Sequence, residues 1–228
     1  QVLTSTGSGV GWEDAAGGVT GLTGLVENSS IWLGADPSGT TDTAQYNVAL
    51  GDSTLDAITT GDYNTALGQN ALSALNTGST NTAVGRNSMG TSTSASGNVG
   101  VGLNTLSGVT GDNNVGVGIN AGVSVSSGDN NIAIGYTAMY KAVTGNHSIG
   151  IGTAALYELT SGTENTCIGA YAGDAMTTGD KNTAIGRGAL STSTAATETT
   201  AVGYNAMFTG DVSGASNTAI GAYAMDAC

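Results

Sequence analysis

The chain has 228 residues, of which 38 are glycine, one is proline, 9% are charged and 5% are aromatic, and its net charge is −13. Charged residues make up roughly a quarter of an ordinary soluble domain, so this composition disfavours a thick globular core. Only four Lys and Arg residues are present, which disfavours a nucleic-acid partner and attraction to anionic membranes. The sequence contains no run of 18 apolar residues, so we expect no membrane insertion.

Residues 1–29 form a Gly-rich segment that we interpret as an N-terminal linker or cap. The segment starts at Gln1 without an apolar signal sequence, and we read the chain as a processed or excised fragment. Trp12 lies within the segment and Trp32 follows it. The two indoles would cover the apolar N-terminal end of the repeat domain that follows. A flexible linker with one buried aromatic residue is the alternative.

Residues 30–228 form a repeat whose register is set by one glycine. Nine of the eleven spacings between these register glycines are 17 residues, one is 16 and one is 18. Such regularity predicts a solenoid of stacked units. The register glycines are Gly34, Gly51, Gly68, Gly85, Gly102, Gly118, Gly135, Gly152, Gly169, Gly186, Gly203 and Gly221.

The residues before each register glycine predict a strand. The residue one before it is Leu, Val or Ile, and the residue three before it is Ile, Val or Thr; we call these the branched columns. Positions two apart share one face of a strand, and β-branched residues favour strands. We expect the branched columns to face the interior. The residue between them is small except at Trp32, and this small column would let another backbone or chain approach.

The residue four before the register glycine is usually Asn, and we call this position the Asn column. After the glycine, an Ala-Leu or Ala-Met pair predicts a second short strand, and a Ser/Thr/Gly loop that often ends in Gly-Asp-x-Asn predicts a turn. A unit this small buries its apolar face only by stacking. The sequence therefore predicts an all-β β-solenoid of about twelve coils, on the order of 55–60 Å long at strand spacing, with stacked Asn ladders.

Two of these units, residues 64–72 (NTALGQNAL) and 182–190 (NTAIGRGAL), resemble repeats of bacteriophage tail fibres. Such fibres often end in an endosialidase-type intramolecular chaperone. Residues 1–12 (QVLTSTGSGVGW) are also similar to a segment upstream of those repeats. A looser similarity is to the heads of trimeric autotransporter adhesins, whose coils are shorter.

The resemblance implies a parallel homotrimer on a virion tail fibre or in another extracellular setting. It further implies a fibre shaft or receptor-binding segment that attaches to a glycan or protein of the host cell surface. The alternatives are a bacterial surface adhesin, a polysaccharide depolymerase and an ice-binding solenoid. Longer Ser/Thr loops at residues 90–96 and 191–198 are the predicted contacts, although the sequence assigns no individual binding residue.

Side chains for catalysis are sparse, and we expect no enzyme, no catalytic residue and no cofactor. His147 is the only histidine and is predicted to be a solvated turn residue. A depolymerase would need paired carboxylates. The candidate pairs, each flanking one loop and each more simply explained as turn residues, are Glu158 with Glu164 and Asp174 with Asp180.

Asp112 and Asp129 are weak candidates for a cation site. Both lie six residues before their register glycines in adjacent coils, so stacking would bring two carboxylates to about 5 Å. Such a pair would raise one pKa or recruit calcium, but ordinary Asp turn chemistry explains both residues better. Cys167 occupies the small column and is predicted to be a buried apolar residue.

Six of the residues three before the register glycine are threonine. They raise the ice-binding alternative, because flat threonine ranks on a solenoid can bind ice. We expect these threonines to face inward with Ile, Val and Leu, which disfavours that function. They are Thr65, Thr82, Thr166, Thr183, Thr200 and Thr218.

Overall fold

The computed structural model describes residues 3–5, 10–12, 24–27, 29–34, 43–141, 143–210, 212 and 215–226. Within these ranges the chain is all-β and contains no helix. Strands β1 (Leu3–Ser5) and β2 (Val10–Trp12) form a small antiparallel pair. The predicted roles of the Trp12 side chain and of Cys228 lie outside what the structure describes.

All other strands belong to one 13-stranded sheet in chain order. The first of them, β3, pairs antiparallel with β4, and every later pair is parallel. The predicted β-solenoid of 17-residue coils is therefore confirmed. The strands are β3 (Gly24–Glu27), β4 (Ser30–Gly34), β5 (Val48–Gly51), β6 (Thr65–Leu67), β7 (Thr82–Val84), β8 (Val99–Val101), β9 (Val115–Val117), β10 (Ile132–Ile134), β11 (Ile149–Ile151), β12 (Thr166–Ile168), β13 (Thr183–Ile185), β14 (Thr200–Val202) and β15 (Thr218–Ile220).

Consecutive coils of the same chain stack directly on one another. Ile132 pairs with Ile149 and Ala133 with Gly150, so each column runs straight from coil to coil. The 16-residue spacing before Gly118 and the 18-residue spacing before Gly221 leave this register intact. The parallel rings of Tyr140 and Tyr157, with centroids 5.1 Å apart, show the same rise per coil.

The structure reverses the predicted orientation of the strands. The small column is buried in every described coil, whereas the branched columns are half-buried or exposed. Ala184, for example, is fully buried between Thr183 and Ile185, and Ile185 is 39% exposed. The prediction that Ile, Val, Leu and Thr of the strands fill the interior was wrong.

The reason lies in the residues that follow the register glycine. Side chains three, four and seven positions after it are buried, and the larger ones fill the space across from the strand. Leu72 and Leu75 do so in one coil, and Leu156 and Leu159 do so in another. A coil this narrow has room for one layer of large side chains, so only Ala, Gly or Cys fits on the strand opposite it.

The Asn column is buried and forms the predicted ladder. The backbone N–H of Asn64 donates to Oδ1 of Asn47 at 2.8 Å, and the N–H of Asn81 donates to Oδ1 of Asn64 at 3.0 Å. The Nδ2 group of Asn64 also donates to the Gly78 carbonyl at 3.0 Å. Each Asn thus satisfies backbone groups that the turn leaves without a strand partner, which a buried position requires.

The predicted second strand is absent from the described coils. The Ala-Leu pair lies in a turn, and Leu72 has a φ of 52° in the left-handed region. Two positions earlier Asn70 also has a positive φ of 59°. Coil-to-coil hydrogen bonds nevertheless continue there, since the Leu72 N–H donates to the Ser88 carbonyl at 3.0 Å. The unit is one strand followed by successive turns.

The register glycine is required at the corner where the strand ends. Gly135 has a φ of 130°, which side chains of L residues rarely allow. A Cβ atom added there would lie 2.6 Å from the carbonyl carbon of Gly152 in the next coil. Both the backbone angle and the close stacking of coils therefore demand glycine at this position.

Candidate functional site

The outward face of the long sheet is the largest candidate site. The branched columns of twelve parallel strands, β4 to β15, place their side chains on this face. Leu50 and Leu67 are each 43% exposed and Ile220 is 72% exposed. Large apolar side chains in a row with no covering element mark an interaction surface.

No charged residue occupies either branched column in any of the twelve coils, although the chain carries a net charge of −13. The centre of the face is formed by β9, β10 and β11, where Val117, Ile134 and Ile151 stand in line. Beside it Leu103, Ile119 and Tyr136, each one residue after a register glycine, are also exposed. The branched columns are therefore uncharged along the whole face and aliphatic except for threonine in six of the twelve strands, while the column one residue after the register glycine also contains Asp52, Arg86 and Arg187.

The threonines of the branched columns lie on this same outward face, so the prediction that they face inward was wrong. Thr166, Thr183 and Thr200 stack in register on successive strands. They form a hydroxyl-bearing rank toward the C-terminal part of the sheet. Because the argument against ice binding depended on an inward orientation, that argument no longer holds.

The cation candidates Asp112 and Asp129 lie in adjacent coils at equivalent positions, but their carboxylates are engaged by the backbone. Oδ1 of Asp112 accepts from the Ser96 N–H at 2.7 Å, and Oδ1 of Asp129 accepts from the Asp112 N–H at 2.7 Å. Oδ1 of Asn146 continues this ladder by accepting from the Asp129 N–H at 2.8 Å. In the described ranges no group of three or more His, Cys, Asp and Glu side chains could hold a metal ion.

The members of each predicted carboxylate pair have different surroundings. Glu158 forms an ion pair with Lys141 at 3.8 Å, whereas Glu164 is exposed on a turn at a φ of 57°. Oδ1 of Asp180 accepts from the N–H of Thr163 at 2.7 Å in the preceding coil.

The structure instead brings Asp174 close to Glu158, whose N–H donates to the Asp174 carbonyl at 3.0 Å. Burial raises the pKa of the Asp174 carboxyl, backbone hydrogen bonds partly oppose this rise, and the Glu158 charge adds to it. The sequence analysis had assigned these two carboxylates to different loops and did not connect them.

His147 and Cys167 occupy the environments predicted for them. His147 is exposed on a turn with a φ of 58°. Cys167 is fully buried in the small column, and this burial raises the pKa of its thiol to about 12. A thiol held in the neutral form is a poor nucleophile, so Cys167 packs as a small apolar residue.

The two predicted contact loops differ in their surroundings. In both loops alternate side chains turn inward, including Ser92 in the first and Ser193 in the second. Ser191 and Thr192 at the start of the second loop line a surface cleft, and no residue of the first loop does so among the cleft residues described.

Comparison of the chain with family models, with curated proteins and with solved structures finds no match. Among the residues described, no helix is long and apolar enough to cross a membrane. The geometry of the outward face therefore carries the functional argument.

Proposed function

We propose that this chain is a shaft segment of an extracellular fibre, such as a phage tail fibre, that assembles as a parallel homotrimer and attaches to a host cell surface. The observation that carries the proposal is the outward face of the sheet, whose branched columns contain no charge over twelve coils and stay half-buried or exposed among the residues that the structure describes. The interior needs no partner, because its own side chains fill it. A partner is needed only outside.

A second and third copy of this chain suit that face better than a charged partner would. The face offers no charge with which to recognise an acidic or basic protein. Its side chains repeat at every coil, so an identical face offers the same spacing and can interdigitate along the whole length. Three such faces around one axis would bury the branched columns, which contain no charged residue, as a shared core.

The size of the face is that of a functional surface patch. Twelve strands at about 4.8 Å give a strip roughly 55 Å long, and a three-residue strand gives it a width of about 10 Å. The resulting area of about 550 Å² lies at the upper end of the apolar patches on a monomer, about 300–600 Å². In a trimer, the strip on each chain would be covered by the two partner chains.

The test is the solution mass measured by light scattering coupled to size exclusion. The wild-type chain should give the mass of three chains. The double variant Ile134→Lys with Ile151→Lys should give a monomer, because two stacked ammonium groups on each chain cannot be desolvated in the shared core.

The matched control is Ser127→Lys with Ser161→Lys, which adds the same charge at exposed turn positions and should remain trimeric. Circular dichroism should show unchanged strand content in both variants. A wild-type monomer, or a trimer that survives the two lysines on the sheet, would contradict the proposed assembly.

Ice binding is a second candidate, favoured by the outward rank of Thr166, Thr183, Thr200 and Thr218 in consecutive strands. It requires the same face to be free, so it competes with the trimer. A monomer that shows thermal hysteresis, lost in Thr183→Lys, would support this function. A trimer without thermal hysteresis would exclude it.

A further inference from the structure

A second polar ladder runs along the outside of the coils and then stops. Residues two after the register glycine are Asn in four successive coils, and Nδ2 of each donates to Oδ1 of the next. The distances are 3.1 Å from Asn70 to Asn87, 3.1 Å from Asn87 to Asn104 and 3.2 Å from Asn104 to Asn120. In the later coils Thr137, Ala154, Tyr171 and Gly188 take this position.

The ladder is still interrupted three coils later, and a cleft lies there at Gly188. Asn205 follows one coil later, and its Oδ1 is buried without a hydrogen-bond partner. The missing donor is the side chain that Asn would supply at position 188. A Cβ atom at Gly188 would contact Asn205 Oδ1 and would lie 3.2 Å from Cδ2 of Phe208, so only glycine leaves this space free.

The cleft has a volume of about 370 Å³, at the lower end of the range for small-molecule sites. Aromatic rings of Tyr171 and Phe208 form its walls. Arg187 lies over the ring of Tyr171 with its guanidinium carbon 5.8 Å from the ring centroid, and over the ring of Tyr204 at the same distance. Cation–π contacts on both sides thus hold the guanidinium at the cleft.

The polar groups of the cleft supply both donors and acceptors. Asp174 lines it, and Oδ1 of this carboxylate is buried without a hydrogen-bond partner. Ser191 and Thr192 add hydroxyl groups. The hydroxyl of Thr192 donates to the carbonyl of Phe208 at 2.8 Å and so fixes the aromatic wall.

Charges around the cleft balance one another. Asp174 and Glu158 are acidic, and Arg187 and Lys141 are basic, with Lys141 ion-paired to Glu158. A ligand with a net charge gains little from such a balance. The combination of flat aromatic walls, fixed donors and acceptors and local neutrality fits a small ring with apolar faces and hydroxyl edges.

We propose that this cleft binds a neutral pyranose unit of a saccharide. One face of the sugar ring packs on Tyr171 or Phe208, and its hydroxyl groups hydrogen-bond with Asp174, Arg187 and the Ser191 and Thr192 hydroxyls. The cleft would then be the place where the fibre attaches to a host cell surface, and this biological role rests on the proposed function. Three copies in a trimer would raise the avidity for a polysaccharide.

The test is ligand-observed saturation-transfer NMR on the whole chain with glucose, galactose, mannose and N-acetylglucosamine as probes. At least one neutral probe should bind, with a dissociation constant on the order of millimolar. Gly188→Asn should weaken that binding at least tenfold, because Asn restores the ladder and fills the cleft. The substitution suits the local backbone, since Gly188 has a φ of 66° and Asn205 at the equivalent position has a φ of 51°.

Arg187→Gln should also weaken binding, and Arg86→Gln, at the same position of a coil far from the cleft, should leave it unchanged. Glucuronate and choline serve as charged probes, and tighter binding of either one would overturn the proposal. Binding that survives Gly188→Asn, or no binding of any neutral probe, would also overturn it. The mass of the assembly is measured separately from saccharide binding. A failure to bind saccharide would therefore leave the trimer proposal standing, and a monomeric mass would leave the saccharide proposal standing.

Discussion

The two faces of each strand show how a narrow solenoid distributes its residues. The inward face holds Ala, Gly and Cys, and the outward face holds Ile, Val, Leu and Thr. In an ordinary half-buried sheet the larger apolar residues would face the core. Here the space inside a coil is already filled by residues such as Leu156 and Leu159 on the opposite wall.

The difference between the faces shows that side-chain volume, rather than hydrophobicity, decides which residues of a strand face inward in this fold. The inward face tolerates nothing larger than a thiol in most coils, with Trp32 near the N-terminal end as the exception. The outward face has no such limit, and large branched side chains are accommodated there. Three experiments test this comparison.

The largest effect is expected from adding volume inward. Ala184→Leu inserts three heavy atoms between two fully packed walls and should cost about 1–3 kcal/mol or more in the free energy of unfolding. The neighbouring change Thr183→Leu places the same side chain on the outward face without a clash and should stay within about 0.5 kcal/mol. Urea unfolding followed by circular dichroism at one protein concentration compares the two, and equal losses would refute the volume argument.

A smaller effect is expected from the buried Asn ladder. Asn131→Ala leaves the Ser148 N–H and the Gly145 carbonyl without the partners that they have at 2.9 Å each. Water that enters the space left by the side chain can partly satisfy both groups, so the net loss in the free energy of unfolding should be about 1 kcal/mol, at the lower end of the range for a buried unsatisfied group. Asn131→Ser should cost less, because Ser148 already accepts the Asn165 N–H at an equivalent position.

Native-state hydrogen exchange locates this loss. The amide of Ser148 should exchange faster in Asn131→Ala than in Asn131→Ser, while amides several coils away keep their protection. Uniformly faster exchange along the chain would mean that the ladder acts globally rather than between neighbours.

The smallest effect concerns pH. Burial raises the Cys167 pKa from its ordinary 9.0 to about 12, so the unfolded chain loses this proton at lower pH than the folded chain. Stability contributed by the neutral thiol is therefore complete below pH 9 and is lost as pH rises toward 12. Cys167→Ala, a change to the commonest small-column residue, should remove this alkaline loss when thermal melting is measured from pH 8 upward; an unchanged pH profile would contradict the assignment.

Much of the fold could be predicted from periodicity alone. The register glycines, the single strand before each of them and the Asn ladder all followed from the sequence, because each reflects a constraint repeated in every coil. The period of two also separated the branched columns from the small column correctly. It could not show which of them faces inward, since alternation is the same for both orientations.

The missed features had weaker signals. The positive φ values that exclude a second strand occur at Asn70, Asn87 and Asn104, and Asn at this position is a turn signal that the sequence analysis did not use. The cleft lies at Gly188, the last of four coils that lack Asn at this position, and its meaning depends on the hydrogen bond missing at Asn205. Such a departure is visible only once the regular ladder is known.

The parallel stacking of whole coils has a mechanical consequence. Each 17-residue coil adds only about 4.8 Å to the rod, but the same residues pulled straight would span roughly 60 Å. Under tension applied at its ends, a lone chain would unspool one coil at a time and lengthen more than tenfold. Lateral packing of three chains along the sheet would oppose this unspooling, since each coil would then be clamped by two neighbours as well as by the coils above and below it.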